Sequence, residues 1–314
     1  MSSKPKLPKA FERLADYFSK ELSPLLDART IQILSLRQTH DFTILRTEES
    51  RELNTVVIPE SIQSPKPSVK VAFLASKQKA VETREFSRLL RTVKDYDCYL
   101  KDKLCMKCPR CALFGAVSVT GGQEYNIKHR IEYSTAFSIE RYEDLLETLT
   151  FNAIDETSQK TEQALNITHN VVPLANFPSV VSLTSVTWRE FVLYLKTLLA
   201  AKSYGAETRT KGDMRNTILG IAGGYEEMIT SLEFNLELAG QWESNLEETT
   251  QSILEKYSKM CASRANVTVL TPTELSSLIS QVQDLPLDAP FVDSMQQDVD
   301  IFLAKVASDK KKKK

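Results

Sequence analysis

Histidine is scarce in this sequence, with 3 residues among 314. No serine stands in a Gly-x-Ser-x-Gly turn, and neither a Gly-x4-Gly-Lys-Ser/Thr loop nor a His-Glu-x-x-His pattern occurs. Such motifs position nucleophiles, nucleotide phosphates and catalytic zinc. Their absence argues against the common hydrolases, nucleotide-dependent enzymes and zinc peptidases.

Long hydrophobic runs are also missing. No stretch approaches the roughly 18 apolar residues that a membrane-spanning helix requires, and residues 1–5 contain no hydrophobic signal region. Hydrophobic residues nevertheless make up 42% of the chain, which is enough to form a folded core. We therefore expect a folded cytoplasmic protein with no membrane partner.

The charges are balanced in total, with 40 basic and 41 acidic residues, but they are segregated along the chain. Residues 66–130 contain 14 Lys/Arg and 6 Asp/Glu, whereas residues 225–300 contain 3 Lys/Arg and 14 Asp/Glu. The first region predicts a surface that binds a polyanion. The second region is either a solvated helical surface or a surface that docks onto a basic neighbour.

Four of the five cysteines lie within one window of 14 residues, and Cys261 stands apart. Clustered thiolates predict a closed, structural tetrahedral zinc site. Because three of the cysteines are spaced three apart, an iron–sulfur cluster is one alternative, and partial or no metal binding is the other. His129 and His169 would serve as substitute ligands if the first cysteine lay too far away. The predicted ligands are Cys98, Cys105, Cys108 and Cys111.

Hydrophobic periodicity predicts strands at 29–47, 115–120, 127–138 and 179–186, and helices at 77–95 and from Trp188 onward. A polar excursion covers 144–170, prolines at 59, 65 and 67 mark an exposed loop, and a glycine-punctuated basic loop at 205–220 leads into a short strand. The order strand, helix, strand, excursion, strand, helix, strand is that of an α+β, ferredoxin-like fold, which RNA-recognition domains share.

Basic residues recur at three places in this order: on one arc of the helix at 77–95, beside aromatic residues on the strand at 127–138, and in the glycine-rich loop. Such groups bind phosphates, and strand aromatics with flanking cations commonly bind single-stranded RNA on a sheet face. The alternative for each group is an ordinary solvated surface.

Three segments resemble the repeated backbone subunit of CRISPR surveillance complexes, the Cas-seven family of the RAMP superfamily. They are Cys108-Pro-Arg-Cys-Ala-Leu-Phe-Gly-Ala116, Thr135-Ala-Phe-Ser138 and Gly205-Ala-Glu-Thr-Arg-Thr-Lys-Gly212. The cysteine-rich insertion and the length are most similar to the type I-D Cascade version.

The resemblance implies an RNA-recognition-type palm at 29–225, with a zinc-binding insertion at 97–112 and a thumb hairpin at about 145–177. An N-terminal extension at 1–28, a helical region at 226–307 and a disordered lysine tail at 308–314 complete the expected organisation.

The resemblance also implies that copies of the subunit polymerise along the CRISPR RNA and present it for pairing with target DNA, with target RNA as a second candidate. The other expected partners are the large, small and guide-end-capping subunits of the complex. The predicted RNA-binding residues are Arg46, Lys77, Lys79, Arg84, Arg88, Lys128, His129, Arg130, Lys202, Arg209, Lys211 and Arg215.

Some relatives in type III complexes cut target RNA with an acidic residue in the loop after the first strand. Asp41 is the carboxylate in the corresponding turn here, and an aspartate at such a position also forms turns. Three functions therefore remain open: a non-catalytic RNA-binding backbone, a backbone that also cuts single-stranded target at regular spacing through metal-assisted chemistry, and a zinc-stabilised protein-interaction module.

Overall fold

The computed structural model describes residues 6–47, 52–100, 103–117, 126–154, 157, 161–205, 212–242 and 245–312. The strands are β1 (Thr30–Thr39), β2 (Thr55–Pro59), β3 (Pro67–Phe73), β4 (Ile131–Tyr133), β5 (Ala136–Phe137), β6 (Leu146–Ile154), β7 (Thr161–Val171), β8 (Asn176–Thr184), β9 (Met214–Gly224) and β10 (Thr268–Val269). The α-helices are α1 (Ala75–Val93), α2 (Pro109–Phe114), α3 (Tyr142–Leu145), α4 (Trp188–Ala200), α5 (Ser231–Ala239), α6 (Leu246–Ser258), α7 (Pro272–Asp284) and α8 (Ala289–Lys312). Short 3-10 helices cover Lys9–Tyr17 and Arg264–Asn266.

The main sheet has the strand order β10-β9-β1-β8-β4, and each neighbouring pair is antiparallel. Strand β1 lies in its middle and is buried at nearly every position, because helices cover both faces of the sheet. Ile31 and Ile33 pack toward α1 and α4, whereas Leu34 and Leu36 pack toward α5 and α6. Burying each such side chain contributes about 1.5–3 kcal/mol, so both helical layers are held firmly.

The predicted strand at 127–138 is divided in the structure. Strand β4 joins the main sheet beside β8, and β5 joins a second sheet of order β2-β3-β5. Strands β2 and β3 fall in and around the segment where prolines predicted only an exposed loop. Pro59 is the last residue of the edge strand β2, and Pro67 is the first residue of β3. At both positions a strand tolerates the missing N–H donor.

Strands β6 and β7 form a separate two-stranded antiparallel ribbon that occupies most of the predicted thumb segment. The sequence spacing Thr-x-x-Glu, at Thr187–Glu190 and at Thr271–Glu274, predicts two capping boxes. The structure contains both, with reciprocal side-chain contacts at the starts of α4 and α7. Helix α8 continues through Lys312, so residues 308–312 extend a helix instead of forming the expected disordered tail. No helix in the described ranges has the length and apolarity needed to cross a bilayer.

Candidate metal centre and nucleic-acid interface

The four clustered cysteines come from three local structures. Cys98 follows α1, Cys105 precedes a tight turn in which Met106 has a φ of 58°, and Cys108 and Cys111 lie at the start of α2. Their sulfur atoms all lie within 4.8 Å of one another. Neither His129 nor His169 belongs to this group, so the described residues support an all-cysteine site and not a histidine substitution.

The geometry of the sulfurs fits a tetrahedral zinc ion. A Zn–S bond of roughly 2.3 Å places tetrahedral sulfurs about 3.8 Å apart, and the Cys98 and Cys111 Sγ atoms are 3.5 Å apart. The backbone N–H groups of Cys105 and Lys107 donate to the Cys98 and Cys105 sulfurs, both at 3.4 Å. Such donors stabilise thiolates, which are the form that binds metal.

Hydrogen bonding among the four cysteines shifts the pKa values of individual thiols in opposite directions. Hydrogen bonds from Cys108, Cys111 and Cys98 lower the pKa of the Cys105 thiol well below its usual range. Hydrogen bonding within the same group raises the pKa of Cys108 well above its usual range. Four adjacent thiolates repel one another, so only a bound cation would make the fully deprotonated set favourable.

We call the cysteine-bearing residues 98–100 and 103–111 the metal loop. This loop, with the rest of α2 up to Phe114, is fixed to the body of the protein on two sides. The Phe114 ring packs edge-on against Phe86 of α1, with ring centroids 5.2 Å apart. The side-chain amide of Gln296, on α8, donates to the Lys107 carbonyl at 2.8 Å. The cysteine cluster therefore connects the end of α1 with the C-terminal helix.

A positive patch adjoins this loop. Burial, together with the charge on Arg110, lowers the pKa of Lys79. Burial, together with the charge on Lys79, also lowers the pKa of His129, and Lys128 beside it contributes in the same direction. Glu132 opposes this effect, because its carboxylate lies 3.8 Å from His129 Nε2 and raises the pKa of both Lys79 and His129. The repulsion among the cations that Glu132 does not offset would favour a bound anion. Arg110, which is absent from the predicted RNA-binding residues, is buried and donates to the Gly115 carbonyl at 3.3 Å, so it adds charge to the patch but no exposed donor.

Arg130 is a correction to the predicted RNA-binding set. Its guanidinium is 5% exposed and forms a two-pronged ion pair with Glu190. It also donates to the carbonyl oxygens of Ala112 and Ser185, both at 2.9 Å. All of its donors are therefore committed inside the protein, between α2 and the start of α4.

The sheet face expected to bind RNA is covered. Helices α5 and α6 occupy the face to which Leu34 and Leu219 point, and Tyr133 directs its hydroxyl to Glu82 at 2.8 Å. Phe137 is only partly exposed, in the small sheet. Nucleic acid would therefore have to contact edges and loops instead of strand aromatics.

Three further elements meet at the end of β1: the turn that follows this strand, the base of the β6–β7 ribbon and the glycine-rich loop. The backbone of His40 donates to Asp213 at 2.7 Å, and Thr43 pairs with Val171 at the base of the ribbon. The backbone of Tyr204 donates to the Gly212 carbonyl at 3.1 Å. We call residues 202–205 and 212–215 the neck of the glycine-rich loop.

The predicted cations around this junction differ in exposure. Lys202 and Arg215 are exposed on the neck, whereas Arg46 is half-buried and engaged in a contact within the protein. Arg84 and Arg88 are exposed on α1, and Lys77 is half-buried near its first turn. Two further predicted residues, Arg209 and Lys211, lie outside the described residues.

Asp41 lies in the turn after β1. Its carboxylate accepts the N–H of Phe42 at 2.8 Å, and its carbonyl accepts the Thr43 hydroxyl at 2.9 Å. Among the described residues, the cysteine cluster is the one group of three or more metal-ligating side chains, and Asp41 is not part of it. These contacts are those of a turn-forming aspartate.

Comparison with solved structures shows which known proteins share this fold. The crystal structure of Thermofilum pendens Csc2 matches with a TM-score of 0.70 at 19% identity, covering 97% of this chain and 98% of that one. A chain of a CRISPR RNA-guided surveillance complex matches with a TM-score of 0.53 at 10% identity, covering 80% of this chain and 99% of that one. The fold is therefore one found among subunits of CRISPR complexes.

The sequence itself matches the family described as Csc2 Crispr over residues 17–306. Because this match covers most of the chain, the protein belongs to that family and is a CRISPR-complex subunit of the Csc2 type. No curated protein sequence matches it.

Proposed function

We propose that this chain is the CRISPR RNA-binding backbone subunit of a type I-D Cascade surveillance complex that acts in antiviral defence. Copies of it would polymerise along the guide and present it for pairing with target DNA, or with target RNA. Membership of the Csc2 family over residues 17–306 is the observation that carries this proposal. The large, small and guide-end-capping subunits would be its other partners.

Within this proposal, the main sheet is a palm of the RNA-recognition type. Numbered within the ferredoxin-like unit, β1, β4, β8 and β9 are the first to fourth strands, and their order β9-β1-β8-β4 is the spatial order 4-1-3-2. Helices α1 and α4 both pack on one face of this sheet. The β6–β7 ribbon would be the thumb, and the cysteine cluster would hold structural zinc.

The guide would follow the positive patch, the exposed side of α1 and the junction at the end of β1. Contacts from exposed cations to phosphates are independent of base sequence, which suits a subunit that must hold any guide. Base recognition would then be left to pairing between guide and target.

The test is to purify the protein with CRISPR RNAs of two lengths and to measure mass and nucleic-acid content by light scattering with dual absorbance. We expect assemblies whose protein content rises with RNA length and whose formation weakens steeply as salt increases. A monomer that retains no RNA in low salt would contradict the proposal and favour a protein-interaction module.

A further inference from the structure

Glu82 lies fully buried in the middle of α1, where four side chains donate to its carboxylate. Its Oε1 atom accepts from Arg37 at 2.6 Å and from the Tyr204 hydroxyl at 2.9 Å. Its Oε2 atom accepts from Tyr133 at 2.8 Å and from Tyr194 at 2.7 Å. Asn216 completes the group by donating to the Tyr204 hydroxyl at 2.9 Å. We call these side chains the Glu82 hub: Arg37, Glu82, Tyr133, Tyr194, Tyr204 and Asn216.

The hub joins β1, β4, α1, α4 and the neck of the glycine-rich loop through one carboxylate, and Asn216 adds β9 through the Tyr204 hydroxyl. A buried network of this kind has one arrangement in which its members are satisfied, and displacing an element leaves a polar group unpaired in a low-dielectric interior. The hub therefore fixes these elements relative to one another more tightly than apolar packing alone would.

One member of the hub, Tyr204, lies inside the neck, and another, Asn216, directly follows it in β9. Tyr204 is buried two residues after exposed Lys202, and its ring packs edge-on against Phe73 with centroids 5.6 Å apart. Asn216 is buried directly after exposed Arg215, and its amide also donates to the carbonyls that end α4. Tyr204 and Asn216 are held by the hub, and the exposed Lys202 and Arg215 lie within two residues of them in the chain. The hub therefore determines where these two cations lie.

We infer that the Glu82 hub is a positioning device that holds the exposed cations of the neck in register with those on the outer side of α1, so that both contact one nucleic-acid strand. This inference rests on the proposed role in guide binding. Tyr204 and Asn216 are its positioning residues. They act through Lys202 and Arg215 and do not touch the nucleic acid themselves.

The experiment compares Tyr204→Phe with Tyr194→Phe, because each variant removes one hydroxyl donor from the same carboxylate and keeps its ring. Binding of a labelled single-stranded RNA of mixed sequence is measured across a salt series, at a temperature where both variants are folded. For Tyr204→Phe we expect affinity to fall about fivefold and the slope of log K against log salt to shrink by about one. For Tyr194→Phe we expect both quantities to match the wild type.

Equal RNA affinities and salt slopes for the two variants would overturn the inference, whether both match the wild type or both fall. A wild type that binds no RNA would instead refute the proposed function, and the inference with it. If Tyr204→Phe does not fold, Asn216→Ala replaces it, because that variant keeps all four donors to Glu82 while releasing the neck. We expect the same reduced slope from it, and an unchanged slope would overturn the inference.

Discussion

The Arg88 side chain is 76% exposed and shares only a surface contact with Glu85, whereas the Arg130 guanidinium is enclosed by Glu190 and backbone carbonyls. At the scale of single residues, this difference decides what each charge can do. An exposed arginine can exchange water for phosphate at little cost. A buried and paired arginine would have to break charge-assisted hydrogen bonds first.

Arg88→Glu is expected to weaken RNA binding for all sequences and to reduce the salt slope by about one, because one phosphate contact is lost. Fluorescence anisotropy across a salt series measures both quantities. Lys259→Glu is the matched control, since Lys259 is exposed at the end of α6. Equal losses in both variants would show only a dependence on net charge.

Arg130→Met is expected to lower the free energy of unfolding by about 3–5 kcal/mol, because Glu190 is left buried without its partner. At temperatures where the variant is folded, its salt slope for RNA binding should equal that of the wild type. Urea denaturation and the same RNA titration give the two values. A reduced slope with unchanged stability would return Arg130 to the RNA-binding set.

At the scale of elements, the neck depends on a close approach between two backbones. Gly212 has a φ of +60°, and a Cβ at this position would lie 2.6 Å from the Gly205 Cα atom. Only glycine combines the left-handed conformation with the absence of a side chain. The same neck packs against Thr43, so its geometry also affects the turn after β1.

Gly212→Ala is therefore expected to open the neck and to weaken RNA binding, with the left-handed conformation alone costing about 1–2 kcal/mol in unfolding free energy. Gly224→Ala is the control, because a Cβ there would meet its nearest neighbour at 3.6 Å and its backbone is not left-handed. RNA titration and thermal unfolding of both variants test the prediction. Wild-type affinity for Gly212→Ala would contradict it.

Cys108→Ser is expected to abolish stoichiometric zinc and to destabilise the folded protein, because the free energy of metal binding is part of the free energy of folding. Cys261→Ser, at the lone cysteine beside α6, should retain both zinc and stability. Metal analysis and thermal unfolding measure these outcomes. A Cys108→Ser protein with full zinc content and an unchanged unfolding midpoint would refute the structural metal site.

At the scale of the whole molecule, the C-terminal helix α8 packs against the metal loop, close to the end of α1. Besides the Gln296 contact, Asp298 of α8 forms a buried ion pair with Arg189 of α4, and Asp293 pairs with Lys94 after α1. The cysteine cluster and α8 are therefore coupled, although Lys107 and Gln296 stand 189 residues apart in the sequence.

Removing the metal with a chelator is expected to increase hydrogen exchange in α8 and in the metal loop, while α5 and α6, on the other side of the main sheet, stay protected. Lowering the pH should have the same effect, because protonation of the cysteines competes with metal binding. Exchange measured by mass spectrometry tests both. A uniform increase across the protein would indicate global unfolding instead.

Local spacing in the sequence was enough to predict several features of this protein. The cysteine window, the threonine caps of α4 and α7 and the helix at 77–95 all depend on residues a few positions apart, so their local geometry follows from the sequence directly. The alternation of strands and helices likewise predicted a mixed α+β fold. Strands β2 and β3 were missed, because their bounding prolines indicated a loop.

The tertiary structure alone decided which predicted residues act together. Long-range pairing placed the neck, the turn after β1 and the base of the ribbon at one junction, and helices α5 and α6 covered the sheet face expected to bind RNA. It also separated Lys128, which faces solvent, from Arg130, which pairs with Glu190 across the fold. Side-chain direction depends on strand register and on contacts between distant segments, and these are not contained in local sequence patterns.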